Sequence, residues 1–135
     1  MSDALYQERI VALAKAKTGA GKLAAPTKSV RRDNPLCGDR VLLDVTLDGT
    51  GKIAEIAHQV RGCLLCQASA SALASLAVGR DATGVAELRQ QADRALGRAE
   101  GEAEAPYDAF APVKGHKSRQ DCVLLPLEAL KDAFA

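Results

Sequence analysis

From residue 40 to residue 47 apolar and polar side chains alternate, with Val41, Leu43, Val45 and Leu47 on one face and Asp44 and Thr46 on the other. That is the period of a half-buried strand. Asp48-Gly-Thr-Gly-Lys52 has turn chemistry, and residues 53–60 supply a returning strand whose inner side is read as Ala54, Ile56 and Val60. The pair makes a β-hairpin. Directly after it, Arg61-Gly-Cys-Leu-Leu-Cys-Gln-Ala-Ser-Ala-Ser71 switches to a helical pattern of small residues headed by Cys63. An antiparallel hairpin gathers at its open end whatever precedes the first strand and follows the second. Cys37 precedes and Cys63 follows, so the pairing makes neighbours of two distant thiols. Cys63 also stands at the positive end of the helix it heads, where a thiolate is favoured.

The flanking segments read as helices and loops. Residues 3–16 open with Asp3 as N-cap, and Tyr6, Ile10 and Leu13 give one apolar stripe. Thr18-Gly-Ala-Gly21 ends that helix, and the basic stretch to Asp33 reads as loop with a short strand near residues 29–31. The Gly-Ala-Gly-Lys there lacks the spacing of a phosphate loop. Residues 64–78 form a small-residue helix ending at Gly79, and Asp81 or Thr83 caps another with Val85, Leu88, Ala92 and Leu96 in its stripe. Residues 98–105 have almost nothing to bury and read as a solvated linker, followed by an irregular stretch after Pro106. Val123, Leu127, Leu130 and Phe134 mark a last helix headed by Cys122, which Pro126 either kinks or begins.

Four cysteines fall on this framework, three of them beside structural junctions. Asn34-Pro-Leu-Cys-Gly-Asp39 sets Cys37 and Asp39 two residues apart around Gly38, which lets the backbone turn between them. With Cys63 and Cys122 they amount to three sulfur donors and one oxygen donor, enough for a tetrahedral zinc site or an iron-sulfur cluster. The carboxylate is the labile member. The alternative is that the cysteines are small buried hydrophobes. Cys63 and Cys66 form a C-x-x-C, but the preceding hairpin is not the βαβ context of a thioredoxin-type redox pair and no second C-x-x-C completes a zinc ribbon. At i, i+3 Cys66 reads as a packing or auxiliary thiol. His58 lies on the apolar side of its strand as a structural histidine; His116 and Asp121 are secondary ligand candidates, Asp121 equally a cap. Lys117 and Arg119 are solvated charges or a positive shell around an anionic site.

Composition narrows the function classes. The 135 residues fit one domain, 1–135, with an adequate core. Eighteen basic residues against seventeen acids, with 3% aromatics, argue against nucleic acid as a partner. No apolar run approaches a membrane span, and with no leader sequence the expectation is a cytoplasmic protein whose cysteines stay reduced for metal or sulfur chemistry.

Taken together, Asn34-Pro-Leu-Cys-Gly-Asp-Arg40, the Gly62-Cys63 junction running into Gln67-Ala-Ser-Ala-Ser71, and Cys122 before an Ala/Leu helix resemble the U-type iron-sulfur cluster assembly scaffolds, the IscU, SufU and NifU N-terminal proteins. The resemblance runs from about residue 4 to the C-terminus. It implies an α+β fold with a small antiparallel sheet covered by helices, and a site of Cys37, Asp39, Cys63 and Cys122. It also implies sulfur received as persulfide from a cysteine desulfurase, a transient [2Fe-2S] cluster passed to recipient iron-sulfur apoproteins, or, in the SufU type, bound zinc and sulfur relay. Cys122 is the expected persulfide acceptor. The 58 residues between Cys63 and Cys122 (64–121) match the SufU type, as does Asp121 where the IscU type has His. Residues 14–23 depart from the family's usual asparagine- and proline-rich segment.

Overall fold

The computed structural model describes residues 3–35 and 38–134, with side chains described from Glu8 onward. Helix α1 (Asp3–Ala16) leads into three strands, β1 (Lys28–Asn34), β2 (Asp39–Leu47) and β3 (Ile53–Arg61). Then follow α2 (Leu64–Ala77), α3 (Ala82–Ala95), a 3-10 helix (Tyr107–Val113) and α4 (Lys117–Asp132). The strands form an antiparallel sheet in the order β1-β2-β3, and helices cover one of its faces, an α+β fold. Among the described residues no helix is long and apolar enough to cross a membrane.

The inner face of β2 follows its alternation: Val41, Leu43 and Val45 are buried, and Leu47 packs at the margin. β3 differs from the expected pattern at one point. Val60, His58 and Ile56 sit opposite Val41, Leu43 and Val45, but a bulge near Thr46 and Leu47 then shifts the register, so Leu47 pairs with Ile53. Ile53 takes the buried place and Ala54 is exposed, because an extra residue in one strand reverses the facing of everything beyond it. β1 is longer than its sequence suggested. Its charged run pairs with β2 through seven positions, from Lys28↔Val45 to Asn34↔Asp39, and as an edge strand it needs few apolar residues.

Helix α4 lies against β1 and β2, and α2 lies against α4, α1 and β3. Ala68, Ala70, Ala72, Ala74 and Ala77 of α2 are buried, and their small side chains let the neighbouring elements approach closely. Ile10 and Ala14 carry the buried stripe of α1 with Leu13 at its edge; the side chains of Asp3 and Tyr6 lie outside the described residues. Asp81 caps α3, its carboxylate accepting the Gly84 N–H at 2.9 Å. The stretch after Pro106 is ordered as a 3-10 helix that buries Tyr107, Phe110 and Val113. At i, i+3 and i+6 these three line one face of the 3-10 helix, but a period of three over seven residues is too brief to stand out in the sequence.

Residues 17–21 close the free edge of β3. His58 N–H donates to the Gly19 carbonyl (2.8 Å), Gly21 N–H to the His58 carbonyl (2.9 Å), and His58 Nε2 lies 2.7 Å from the Thr18 carbonyl, while Thr18 N–H reaches Ser71 Oγ. Gly19 has φ of 78°, and a Cβ there would stand 2.6 Å from the Ala74 methyl, so this crossing requires glycine. His58 is 5% exposed, and burial lowers its pKa from the ordinary 6.5, against the opposing pull of the Thr18 carbonyl. The folded protein therefore holds it neutral at a pH where the unfolded chain is already protonated. Stability is lost as pH falls below 6.5 and levels off below the lowered folded value. Thermal unfolding of the wild type should accordingly lose more between pH 7 and pH 5 than that of His58→Gln; parallel pH profiles would sink this account.

Candidate metal centre

The β2-β3 hairpin opens toward the start of α2. Asp39 is the first residue of β2, and Arg40 pairs with Arg61, so Gly62 and Cys63 emerge beside Asp39. Its Oδ1 accepts the Cys63 backbone N–H at 2.9 Å, and its Oδ2 stands 3.7 Å from Cys63 Sγ. Cys63 is the N-cap of α2 in extended conformation (φ −71°, ψ 167°) and its own side chain makes no capping bond. Asp39 therefore supplies, from another element, an acceptor for a backbone donor at this helix start. Gly62 makes that possible: a Cβ there would lie 2.7 Å from Asp39 Cγ and closer still to Oδ1. Gly62 is not among the positive-φ residues, so space rather than backbone conformation demands glycine.

The third corner comes from α4. One donor atom each from Asp39, Cys63 and Cys122 lies within 4.8 Å of the other two. Asp39 and Cys122 are 2% and 4% exposed, whereas Cys63 is half-buried and faces the opening. In a tetrahedral zinc site with these donors, neighbouring ligand atoms are about 3.5–3.8 Å apart. A small inward movement of side chains already in place would meet that requirement, so the donor set fits a thiolate-rich metal centre.

Cys122 does not head its helix. α4 starts at Lys117 with His116 as N-cap, so Cys122 sits in the second turn with its thiol directed to the Ser118 carbonyl at 3.7 Å. Pro126 lies inside α4 and cannot supply the helical N–H to the Cys122 carbonyl. One residue along, the Val123 carbonyl accepts the hydroxyl of Ser69, a fully buried residue of α2. The serine thus ties the turn that carries Cys122 to the helix that Cys63 begins. On the other side of α4, Arg32 of β1 forks onto Glu128 and Asp132 with both contacts at 2.7 Å.

Cys37 lies outside the described residues, and the other sequence candidates stand apart from this group. Cys66 is fully buried in the core, one turn into α2. His58 is occupied with Thr18 at the free edge of β3. His116, Lys117 and Arg119 are exposed, and Asp121 is exposed with its carboxylate 3.5 Å from the Arg98 guanidinium. Arg98 also donates to Gln120 Oε1 at 2.8 Å, so one residue of the 98–105 stretch anchors it to α4 while the rest is largely solvated. Sequence reasoning missed the roles of Gly62, Ser69 and Arg98. The glycine and serine stood inside the motif that was read, but only the packing gives each its partner.

Residues 5–134 match the family model described as the NifU-like N terminal domain, and the chain belongs to that family. A curated relative is the iron-sulfur cluster assembly scaffold protein IscU of Thermotoga maritima, 26% identical over 133 residues, covering 96% of this chain and 92% of the relative. The bifunctional protein NifU/MnmA of Rubrobacter xylanophilus is 33% identical over 93 residues, 68% of this chain but only 19% of that longer protein. Among solved structures, the N-terminal part of a NifU-like protein from Brucella abortus superposes with a TM-score of 0.86 at 29% identity, covering 97% of this chain and 92% of the other. A putative iron-sulfur cluster assembly scaffold protein for the SUF system from Fervidobacterium islandicum also gives 0.86, at 28% identity and full coverage of both chains.

Two substitutions test how the site is built. Gly62→Ala should displace the Asp39 carboxylate and lower zinc affinity by about tenfold or more, measured by competition with a chelator, at a stability cost of about 1–3 kcal/mol. Unchanged affinity would show that Asp39 has no part in binding. Ser69→Ala should cost about 0.5–1.5 kcal/mol in denaturant unfolding by removing a buried hydrogen bond between α2 and α4, and a loss near zero would remove the strut.

Proposed function

We propose that this protein is an iron-sulfur cluster assembly protein that accepts sulfur from a cysteine desulfurase and binds iron, a [2Fe-2S] cluster or zinc through Cys37, Asp39, Cys63 and Cys122. The observation that carries the reading is the convergence of Asp39, Cys63 and Cys122, from β2, the start of α2 and α4, in a member of the NifU-like family. Cys37, two residues before Asp39 in the chain, is the fourth donor of the proposal. A bound metal supplies a fixed positive charge that holds the thiols as thiolates. Oδ1 of Asp39 is engaged by the Cys63 N–H, which leaves Oδ2 as the donor and makes Asp39 a one-oxygen, exchangeable ligand. Recipient apoproteins take the cluster as cargo, and the cytoplasm, where thiols stay reduced, is the compartment that suits the chemistry.

Sulfur transfer requires a thiolate to attack the outer sulfur of the donor's persulfide, forming a new S–S bond while the donor's S–S bond breaks and its cysteine leaves as thiolate. Cys122 is the proposed acceptor. Because it is 4% exposed, acceptance requires the exposed first turn of α4 to move aside, and Cys63, the more open thiol, is its competitor. A second reading, a zinc-dependent sulfurtransferase partner of the desulfurase, is favoured by Asp121: paired with Arg98, it stands where the IscU type has histidine.

Anaerobic purification without chelator separates the outcomes. Stoichiometric zinc in a colourless protein favours sulfur relay; a coloured, iron- and sulfide-containing protein favours the scaffold. Cys63→Ser, Cys122→Ser and Cys37→Ser should each lower metal content, whereas Cys66→Ser should retain it, read by elemental analysis. Mass spectrometry after incubation with desulfurase and cysteine should find the added sulfur absent in Cys122→Ser and present in Cys66→Ser. Metal retained in all three ligand variants, with sulfur still accepted, would end the proposal.

A further inference from the structure

The outer face of the sheet, away from the helices, has an ordered grid of side chains set by the strand register. At the end next to Asp39 the row across the three strands is Asp33, Arg40, Arg61; the next row is Arg31, Leu42, Gln59; the third is Ser29, Asp44, Ala57. The third row is partly covered: Asp44 accepts the Leu23 N–H and the Ser29 hydroxyl, and Ala57 is 6% exposed. The first two rows are open. Leu42 is 39% exposed, one of only three large apolar residues so exposed among those described, and the side chains of Arg31 and Arg40 are 56% and 40% exposed.

Charge on these rows is unbalanced in a chain that is nearly neutral overall, at +1. Three arginines share one carboxylate: Asp33 takes Arg31 and Arg40, both at 3.1 Å, and among the described residues no ion pair reaches Arg61. Arg40 and Arg61 face each other directly across β2 and β3, an arrangement of like charges that destabilises a strand pair. The contrast on the inner face is sharp. Arg32, between Arg31 and Asp33 in the same strand, is met by two carboxylates of α4. The fold satisfies its inward arginine internally and leaves its outward ones short of anions, beside a shallow depression lined by Asn34, Gly38, Asp39, Arg40 and Arg61.

We propose that Arg31, Arg40 and Arg61, framing Leu42, form a docking surface for an acidic protein partner that approaches the site during sulfur delivery. An apolar side chain inside a ring of arginines has the composition of an interface centre, and opposite charge would both steer the approach and relieve the Arg40–Arg61 repulsion. A phosphate backbone is the poorer match, since it calls for an uninterrupted basic track and here Asp33 and Leu42 break it. The partner's place in sulfur delivery rests on the function proposed above; the surface itself does not.

Two measurements test it. Isotope-labelled protein titrated at low salt with a short poly-L-glutamate oligomer should show amide shifts confined to the neighbourhood of Arg31, Leu42 and Arg61, lost in the Arg40→Glu/Arg61→Glu variant and on adding salt. Shifts elsewhere, shifts undiminished in the variant, or tighter binding of a short DNA duplex at the same salt would overturn the proposal. With the cysteine desulfurase as sulfur donor, the same variant should raise the KM for this protein as acceptor about tenfold, with kcat and zinc content unchanged. An unchanged KM overturns it as well. Wild-type protein that binds glutamate oligomers but takes no sulfur would instead sink the sulfur-acceptor reading and leave the surface standing.

Discussion

The carboxylate of Asp39 is the contact on which the site's construction depends. It is buried at the open end of a hairpin, where an anion is costly unless its oxygens are engaged. One oxygen is engaged by the N–H of Cys63, the N-cap of α2, and the other faces the Cys63 thiol. A strand start and a helix start are thereby fixed to each other through a single side chain, and the missing side chain of Gly62 is what lets them meet. The interaction that orients the proposed ligands is thus also part of the fold.

α4 has to bring the third donor to the same point, and it is held from both sides. Arg32 grips Glu128 and Asp132 near its C-terminal end, while Ser69 bonds the Val123 carbonyl close to the place where Pro126 interrupts the helical ladder. Between these fixings Val123, Leu124, Leu127 and Leu130 fill the core. The exposed residues before Cys122, from Lys114 to Arg119, lack such burial. Movement is therefore cheapest at the end of α4 that covers the thiol, where uncovering it would serve sulfur acceptance.

Strand β2, the turn at Asp48, α2 and α3 were readable because their periodicity and caps are local. What the sequence obscured has physical causes. The bulge opposite Leu47 reverses the facing of Ile53 and Ala54, and a register shift leaves no mark on composition. β1 is an edge strand with charged residues on both faces, so period-two hydrophobicity is nearly absent, and its pairing with β2 decides its length. The first turn of α4 is polar, so the apolar pattern made Cys122 look like the start of a helix that begins at Lys117. Tyr107 and Phe110 reach the core from a seven-residue 3-10 helix, whose period of three is neither that of an α-helix nor that of a strand.

By itself the sequence determined the hairpin and the small-residue helix after it, because alternation, turn residues and motif spacing act within a few residues of one another, and it offered the candidate sulfur and oxygen donors. The tertiary structure decided that Cys122 comes to stand beside Asp39 and Cys63, whereas Cys66, which its i, i+3 position already marked as a packing or auxiliary thiol, is in the core. That choice depends on the side from which α4 crosses α2, and it is set by close packing, the Ser69 bond and the Arg32 fork, contacts between residues distant in the chain.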